Sequence, residues 1–228
     1  MAVREEMIIK EYLEYICNNN FPCVAAKAAV AKHQVRCMVA GNMACPNDDS
    51  AILNFLYAFV DAYRLAASPF HSAVILFDGM IHSEEQYDQL LWQRLQSLAD
   101  LDAANYKYDQ RVDKDPASAE FSFSLKEEAF FIIGLHPLNN RPGRRFSYPA
   151  IVFNPHAEFV RMRKSGGYEK MKVIVRKRDL ATAGSINSML DDFGNASETF
   201  QYSGKQYEPS WQCPLKINHG TNDHNPTP

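Results

Sequence analysis

His136, Arg141, Arg144 and Arg145 fall between the apolar runs 130–135 and 150–153, and His156 follows the second run. Imidazole nitrogens ligate metals, and guanidinium groups form two-point pairs with carboxylates or phosphates. The stretch therefore carries groups for a metal and groups for an anion. Pro137 holds the preceding His136 in extended backbone at the end of an apolar strand, a rigid place for a ligand; the plain alternative is a hydrogen-bonded histidine in a turn. His156 follows Asn154-Pro155 and stands in the first turn of a predicted helix. There the helix macrodipole disfavours imidazolium and leaves the neutral ring that binds metal. If the two flanking strands are antiparallel neighbours, the histidines stand at opposite ends and cannot share one ion; if parallel, they can face each other.

Further candidates lie downstream. Cys213 in Trp211-Gln-Cys-Pro214 can present a thiolate to iron, against the plainer reading of a buried thiol. Cys23, in Phe21-Pro-Cys23, has the same two readings. Asp191, Asp192 and Glu198 can grip a cation by fork-like pairing, while Ser185 and Asn187 suit helix capping. His71 and His82 read as surface or packing residues. The sequence contains no GxSxG, P-loop or HExxH and no GxG-type spacing after a strand, which removes the commonest hydrolase and nucleotide-enzyme patterns.

These residues need a frame. Apolar positions at helical spacing predict a helix over 6–16, stopped by Asn18-Asn-Asn-Phe-Pro22, with a loop around Cys23. A strand is expected at 34–40, a helix over 51–64 after the polar cluster 47–50, and a strand at 73–77. Ser83-Glu-Glu-Gln86 fits a capping box for a helix over 83–99. Residues 121–125 alternate at the strand period and lead through a hairpin into 130–135. A third strand at 150–153 and a helix from Asn154-Pro155 to 163 follow. Gly166-Gly167 ends that helix, and 168–178 resumes helical spacing with several cations that read as a solvated face. The expected architecture is α+β: one domain over 1–215, a small mixed or antiparallel sheet covered by helices, then a disordered polar tail over 216–228.

The totals set the class. With 228 residues, 46% of them hydrophobic, the chain can bury a full core. Its formal charge is −3, from 27 acidic against 24 basic side chains, so no general basic field points to nucleic acid. No run approaches the ~20 apolar residues of a membrane span, and the first residues lack a signal-peptide core. A cytoplasmic protein with no membrane partner is expected. Five cysteines with no CxxC pair predict reduced thiols and no disulfide framework.

In order, Asp115-Pro, Phe121-Ser-Phe-Ser, Gly134-Leu-His-Pro, Arg141-Pro-Gly-Arg-Arg-Phe, Val152-Phe-Asn-Pro-His, Arg176-Lys-Arg-Asp, Gly184-Ser-Ile-Asn, Asp192-Phe-Gly, Gln201-Tyr-Ser-Gly and Trp211-Gln-Cys-Pro resemble the YqcI/YcgG family. The match covers 113–215, with Phe21-Pro-Cys23 and Lys27 as a weaker echo; 28–112 adds almost nothing. Members include haem-dependent enzymes that hydroxylate a guanidino nitrogen of arginine or of a cyclic guanidine. The resemblance thus implies haem b, dioxygen or peroxide with an electron donor, a guanidine or amine substrate, and a monooxygenase; a homodimer is compatible with it. It does not fix the axial ligand, for which His136 is the first candidate and His156 and Cys213 are the alternatives. Arg141, Arg144 and Arg145 become propionate anchors, and Tyr202 and Trp211 complete the cofactor-binding set. Asp192 and Glu198 become the catalytic pair that holds the guanidinium. A haem sensor or carrier without turnover, and a metal-free interaction domain, remain the competing readings.

Overall fold

The computed structural model describes residues 2–66, 68–164, 166–184 and 194–219. Within them a five-stranded sheet in the order β1-β2-β5-β4-β3 carries helices on both faces. The chain runs through α1 (Ala2–Cys17), α2 (Val24–Ala31), β1 (Val35–Ala40), α3 (Asp49–Leu65), β2 (Ser72–Phe77) and α4 (Glu84–Ala103). It continues through β3 (Phe123–Leu125), β4 (Glu128–Leu135), β5 (Ala150–Pro155), α5 (His156–Lys164), α6 (Gly167–Ala183) and the single turn α7 (Thr199–Tyr202). β1 and β2 are parallel, as their helical crossover requires, and the other pairings are antiparallel. The sheet is therefore mixed, and the fold is α+β.

β2 is buried along its whole length, which explains its unbroken apolar sequence. Ala73, Ile75 and Phe77 join one core under α3 and α4, whereas Val74 and Leu76 join a second core under α1. The period-two alternation divides β5 the same way: Ile151 and Phe153 on one side, Ala150 and Val152 on the other. Leu91, Leu95 and Leu98 of α4 are buried in the first core, each contributing about 1.5–3 kcal/mol of transfer free energy. That helix begins as its sequence predicts, with the Ser83 hydroxyl accepting from the Gln86 N–H at 3.0 Å. Gln86 reaches back one residue further than expected, accepting from the His82 N–H at 2.7 Å.

The β3–β4 hairpin turns through Lys126 and Glu127, both left-handed at φ 51° and 56°. Side chains with a Cβ resist that conformation, so neighbours must hold it. Asp102 accepts from the Lys126 N–H at 3.0 Å, and Arg64 donates to the carbonyls of Lys126 and Glu127 at 2.7 and 3.0 Å.

Three expectations are corrected here. The expected loop ends at Cys23 itself, and helix α2 follows at once; its cap is the Cys23 thiol, which accepts from the Ala26 N–H at 3.5 Å, and cysteine is not among the usual capping residues. β5 extends through Asn154 and Pro155, so the helix starts at His156 and Asn154 is a strand residue. Order also continues past 215. Lys216 donates its N–H to Gln96 at 2.8 Å, and the buried His219 Nε2 lies 2.9 Å from Asp102 Oδ2. Residues 220–228 of the expected tail lie outside the described residues, and no described helix is long and apolar enough to cross a membrane.

Gly134 marks the tightest approach in the sheet. A Cβ there would stand 2.5 Å from the Tyr87 hydroxyl and 2.9 Å from the Tyr202 carbonyl oxygen. Gly134→Ala should lower stability in urea denaturation by about 1–3 kcal/mol, and Tyr87→Phe in the same chain should recover part of that loss. Strictly additive losses would contradict the contact.

Candidate functional site

The face of the sheet under α1 and α2 does not close completely. Between it and helices α5 and α6 lies a cavity of about 290 Å³, near the lower end of the ~300–1,000 Å³ common for small-molecule sites. Its floor comes from β4 and β5, through Phe131, Ile133, Leu135, Val152 and Asn154, which share one face by strand alternation. Ile16, Phe21, Ala26 and Val30 form one wall. The other wall is α6, which presents Tyr168, Met171, Lys172, Val175, Arg176 and Asp179. Those positions follow the three-to-four residue spacing of one helical face. The lining is thus mainly apolar, with cations set into it.

The antiparallel register settles the placement of the two leading histidines. Phe130 pairs with Pro155 and Leu135 with Ala150, so His136 and His156 leave the sheet at opposite ends. His156 lines the cavity and His136 does not. His136 is fully buried and stacked on Tyr87, with ring centroids 4.3 Å apart. Asn139 accepts the Arg141 N–H on Oδ1 at 2.9 Å, which turns its amide nitrogen toward His136 Nε2 at 3.2 Å. The proton of the neutral His136 ring then belongs on Nδ1, an atom with no hydrogen-bond partner. Burial, with the nearby Arg144 charge, pushes His136 down to about 4, so the ring is neutral at ordinary pH.

His156 belongs to a buried polar chain. Its Nδ1 lies 3.1 Å from Ser122 Oγ, and Ser122 donates to Glu198 Oε1 at 2.7 Å. Tyr202 donates to the same oxygen at 2.5 Å and accepts the Phe123 N–H at 3.1 Å. Burial pushes Glu198 up to about 8 despite the hydrogen bonds from Tyr202 and Ser122, so its carboxyl is largely protonated at neutral pH. Burial and the Arg163 charge push His156 down to about 4. Both ends of the chain are therefore neutral near pH 7, in keeping with the high cost of unpaired buried charge. Glu198 also lines the cavity, but its Oε1 already serves two hydroxyls.

The arginines divide. Arg144 is buried and donates to the carbonyls of Gly134, Tyr202 and Gln201 at 3.3, 3.2 and 2.8 Å, clamping α7 to the end of β4. Burial pulls it down to about 10, still charged at neutral pH. Arg141 lines the cavity and pairs with Asp179 of α6 at 2.9 Å. Arg145 lies outside and bonds the Asn139 and Asn140 carbonyls at 2.7 and 3.1 Å. Cys213 and Trp211 pack against the core on the opposite face of the sheet, Trp211 stacking on Tyr207 at 3.8 Å. Burial pushes the Cys213 thiol up to about 11, which disfavours the thiolate that a metal needs. Asp191, Asp192, Ser185 and Asn187 lie outside the described residues.

Sequence reasoning missed several groups that meet in the cavity. Arg163, Lys172 and Arg176 line it, although the basic stretch reads as solvated; the spacing 168, 171, 172, 175, 176, 179 is the signal that marks an inward face. His71 also lines it, with Nδ1 3.5 Å from Glu158 Oε1. Glu158 in turn accepts the Phe70 N–H at 3.1 Å and a bond from Arg161 at 3.0 Å. Ser122 falls within the Phe121-Ser-Phe-Ser motif, but its role depends on long-range contacts that the motif does not reveal. Among the described residues, no three His, Cys, Asp or Glu side chains gather in a way that could hold a metal ion.

A family model described as the YqcI/YcgG family matches residues 10–216. Two curated relatives come from Bacillus subtilis (strain 168). The uncharacterized protein YqcI is 24% identical over 168 residues, covering 70% of this chain and 65% of the relative. The uncharacterized protein YcgG is 26% identical over 167 residues, with the same coverage of each. The match thus spans just under two thirds of these relatives' length. No solved structure matches significantly.

The neutral carboxyl leaves a mark on stability. Unfolded, Glu198 ionises near its ordinary 4.5; folded, it keeps its proton to about pH 8. Between those values the unfolded state loses a proton that the folded state retains, so stability falls as pH rises from about 4.5 to 8 and then levels. Glu198→Gln has no such proton. Urea unfolding at pH 5 and pH 8 should show the wild type losing more stability than the variant over that interval; parallel losses would contradict the assignment.

Proposed function

Because the chain belongs to the YqcI/YcgG family, and because His156 is a buried, neutral histidine that lines a mainly apolar cavity, we propose that the cavity binds haem b with His156 as the iron ligand. We read the protein as a haem-dependent monooxygenase that hydroxylates a guanidino or amino nitrogen of a small molecule. The observation that carries the cofactor reading is the His156 ring, buried, neutral and tied through Nδ1 to Ser122.

The chemistry of the lining residues suits such a group, and the cavity of about 290 Å³ has to widen to admit a porphyrin. A haem iron would need one ligand from the protein, which His156 can supply. The apolar floor and α2 wall suit the macrocycle. Arg141, paired with Asp179, and Arg163, Lys172 and Arg176 give the cavity lining a positive charge that suits two propionates, and Arg144, bonded to three carbonyls, holds the loop. Bound haem supplies the oxygen-activating chemistry. The chain excludes water with α1, α2 and α6 and orients the imidazole through Ser122. The substrate class rests on the resemblance of the ordered motifs from Asp115 to Pro214 to haem-dependent N-hydroxylases. Glu198 takes the role of a neutral support for the histidine chain, which leaves Asp192 as the acidic partner proposed for a guanidinium.

Purified chain mixed with hemin should develop a strong Soret band, and His156→Ala should lose most of it while His136→Ala and Cys213→Ala keep it. A chain that takes up no hemin would sink the cofactor reading. With haem loaded, arginine and related guanidines should gain the mass of one oxygen when reductant and dioxygen, or peroxide, are supplied. Haem binding with no such product from any guanidine or amine would leave a carrier and overturn the oxygenase.

A further inference from the structure

Tyr202 and Trp211 come from motifs expected to touch the cofactor, yet both pack in the core on the far face of the sheet. A run of oxidisable rings joins them, and it includes both tryptophans of the chain. Tyr207 and Trp211, each half-buried, stack with ring centroids 3.8 Å and planes 13° apart. Trp211 lies 5.6 Å from the buried Trp92, and Trp92 stacks on Tyr202 at 6.0 Å. The fully buried Tyr202 meets Phe131 edge-on at 6.1 Å and donates to Glu198 Oε1 at 2.5 Å. Phe131 and Glu198 both line the cavity. Ring contacts therefore run unbroken from a partly exposed pair to the cavity wall.

Phenylalanine would fill such positions as well. What these rings add is the ability to give up one electron, with a base at the end that meets solvent. Asp88, one helical turn before Trp92 on α4, accepts the Trp92 Nε1–H at 2.9 Å and the Tyr207 hydroxyl proton. Trp92 Nε1 also stands 3.2 Å from Tyr207 Oη. A phenol gives up an electron readily only where its proton can leave at the same time. Tyr207 has Asp88 for that purpose, whereas Tyr202 faces Glu198, whose buried carboxyl already holds a proton.

We propose that Tyr207, Trp211 and Trp92 form an electron relay from the protein surface toward the cavity, with Tyr202 as the bridge across the last gap. The cavity end of the relay rests on the reading that haem is held there. One electron passes from the Trp92 indole to peroxide-oxidised haem. Tyr207, acting through Trp211, refills the indole and releases its phenolic proton to the Asp88 carboxylate. A small one-electron reductant such as ascorbate then restores the tyrosine, which takes back the proton from Asp88.

The test has two arms. In the haem-free chain, azidyl radicals made by pulse radiolysis remove one electron from an indole, and both indoles belong to the relay. The indolyl absorption should decay as a phenoxyl absorption grows, at a rate independent of protein concentration. Tyr207→Phe should abolish that growth and Asp88→Asn should slow it by an order of magnitude, whereas Tyr202→Phe should leave it as in the wild type. No transfer in the wild type, or an unchanged rate in Tyr207→Phe, would overturn the relay; should Tyr207→Phe fail to fold, the Asp88→Asn rate decides. In the second arm, the hemin-loaded chain receives peroxide without substrate, and peptide mass spectrometry maps added oxygen. Tyr207 and Trp211 should be marked, and Trp92→Phe should lower the marking several-fold with hemin uptake unchanged. Equal marking in Trp92→Phe would overturn the link to the cavity and leave the cofactor reading standing. A chain that takes up no hemin would sink the cofactor reading and the cavity end of the relay with it, while the first arm still decides the surface part.

Discussion

A buried carboxyl that has to be satisfied without solvent constrains much of this molecule. Glu198 lies where ionisation is disfavoured, and its two hydroxyl partners come from the segment before β3 and from the end of its own helical turn. That carboxyl ties α7 to Ser122 and, through Ser122, to the ring of His156. A network of this kind is costly when half made and specific when complete. It converts the packing of three distant segments into the placement of one imidazole beside the cavity.

A second constraint works at the other end of β4. Arg144 spends its donors on the Gly134, Gln201 and Tyr202 carbonyls, so the last turn before the C-terminal segment is held by a buried cation. Cationic side chains suit the carbonyl end of a helical turn. Gly134 allows the approach, because any Cβ there would meet Tyr87 and the Tyr202 carbonyl. The arginine-rich loop is thus partly architecture: Arg144 and Arg145 bond protein carbonyls, and Arg141 bridges to α6 along the cavity edge. The cavity's other cations come from α5 and α6.

Much of the frame was legible because its signals are local. Strand alternation at 121–125, the unbroken apolar runs, the Ser83 cap and the Gly166-Gly167 break each act through neighbours in sequence. α2 was not legible, since an alanine-rich segment capped by a thiol carries neither the usual cap nor an amphipathic stripe. The continued order at His219 likewise depends on Asp102, far away in the chain. At the site, His156 was visible as a residue type, yet its difference from His136 required the strand register, which no local pattern specifies. Lys172 and Arg176 stand out as charges, and their inward place shows only when they are taken together with Tyr168, Met171, Val175 and Asp179 as one helical face.

The central claim is that iron enters the cavity at His156. Anomalous scattering at the iron edge, collected from crystals of the chain grown with hemin, locates the metal without reference to activity. The account predicts one peak inside the cavity at bonding distance from a ring nitrogen of His156, with the propionates turned toward Arg141, Arg163, Lys172 or Arg176. A peak at His136 or Cys213, or bound hemin confined to the protein surface, would contradict it.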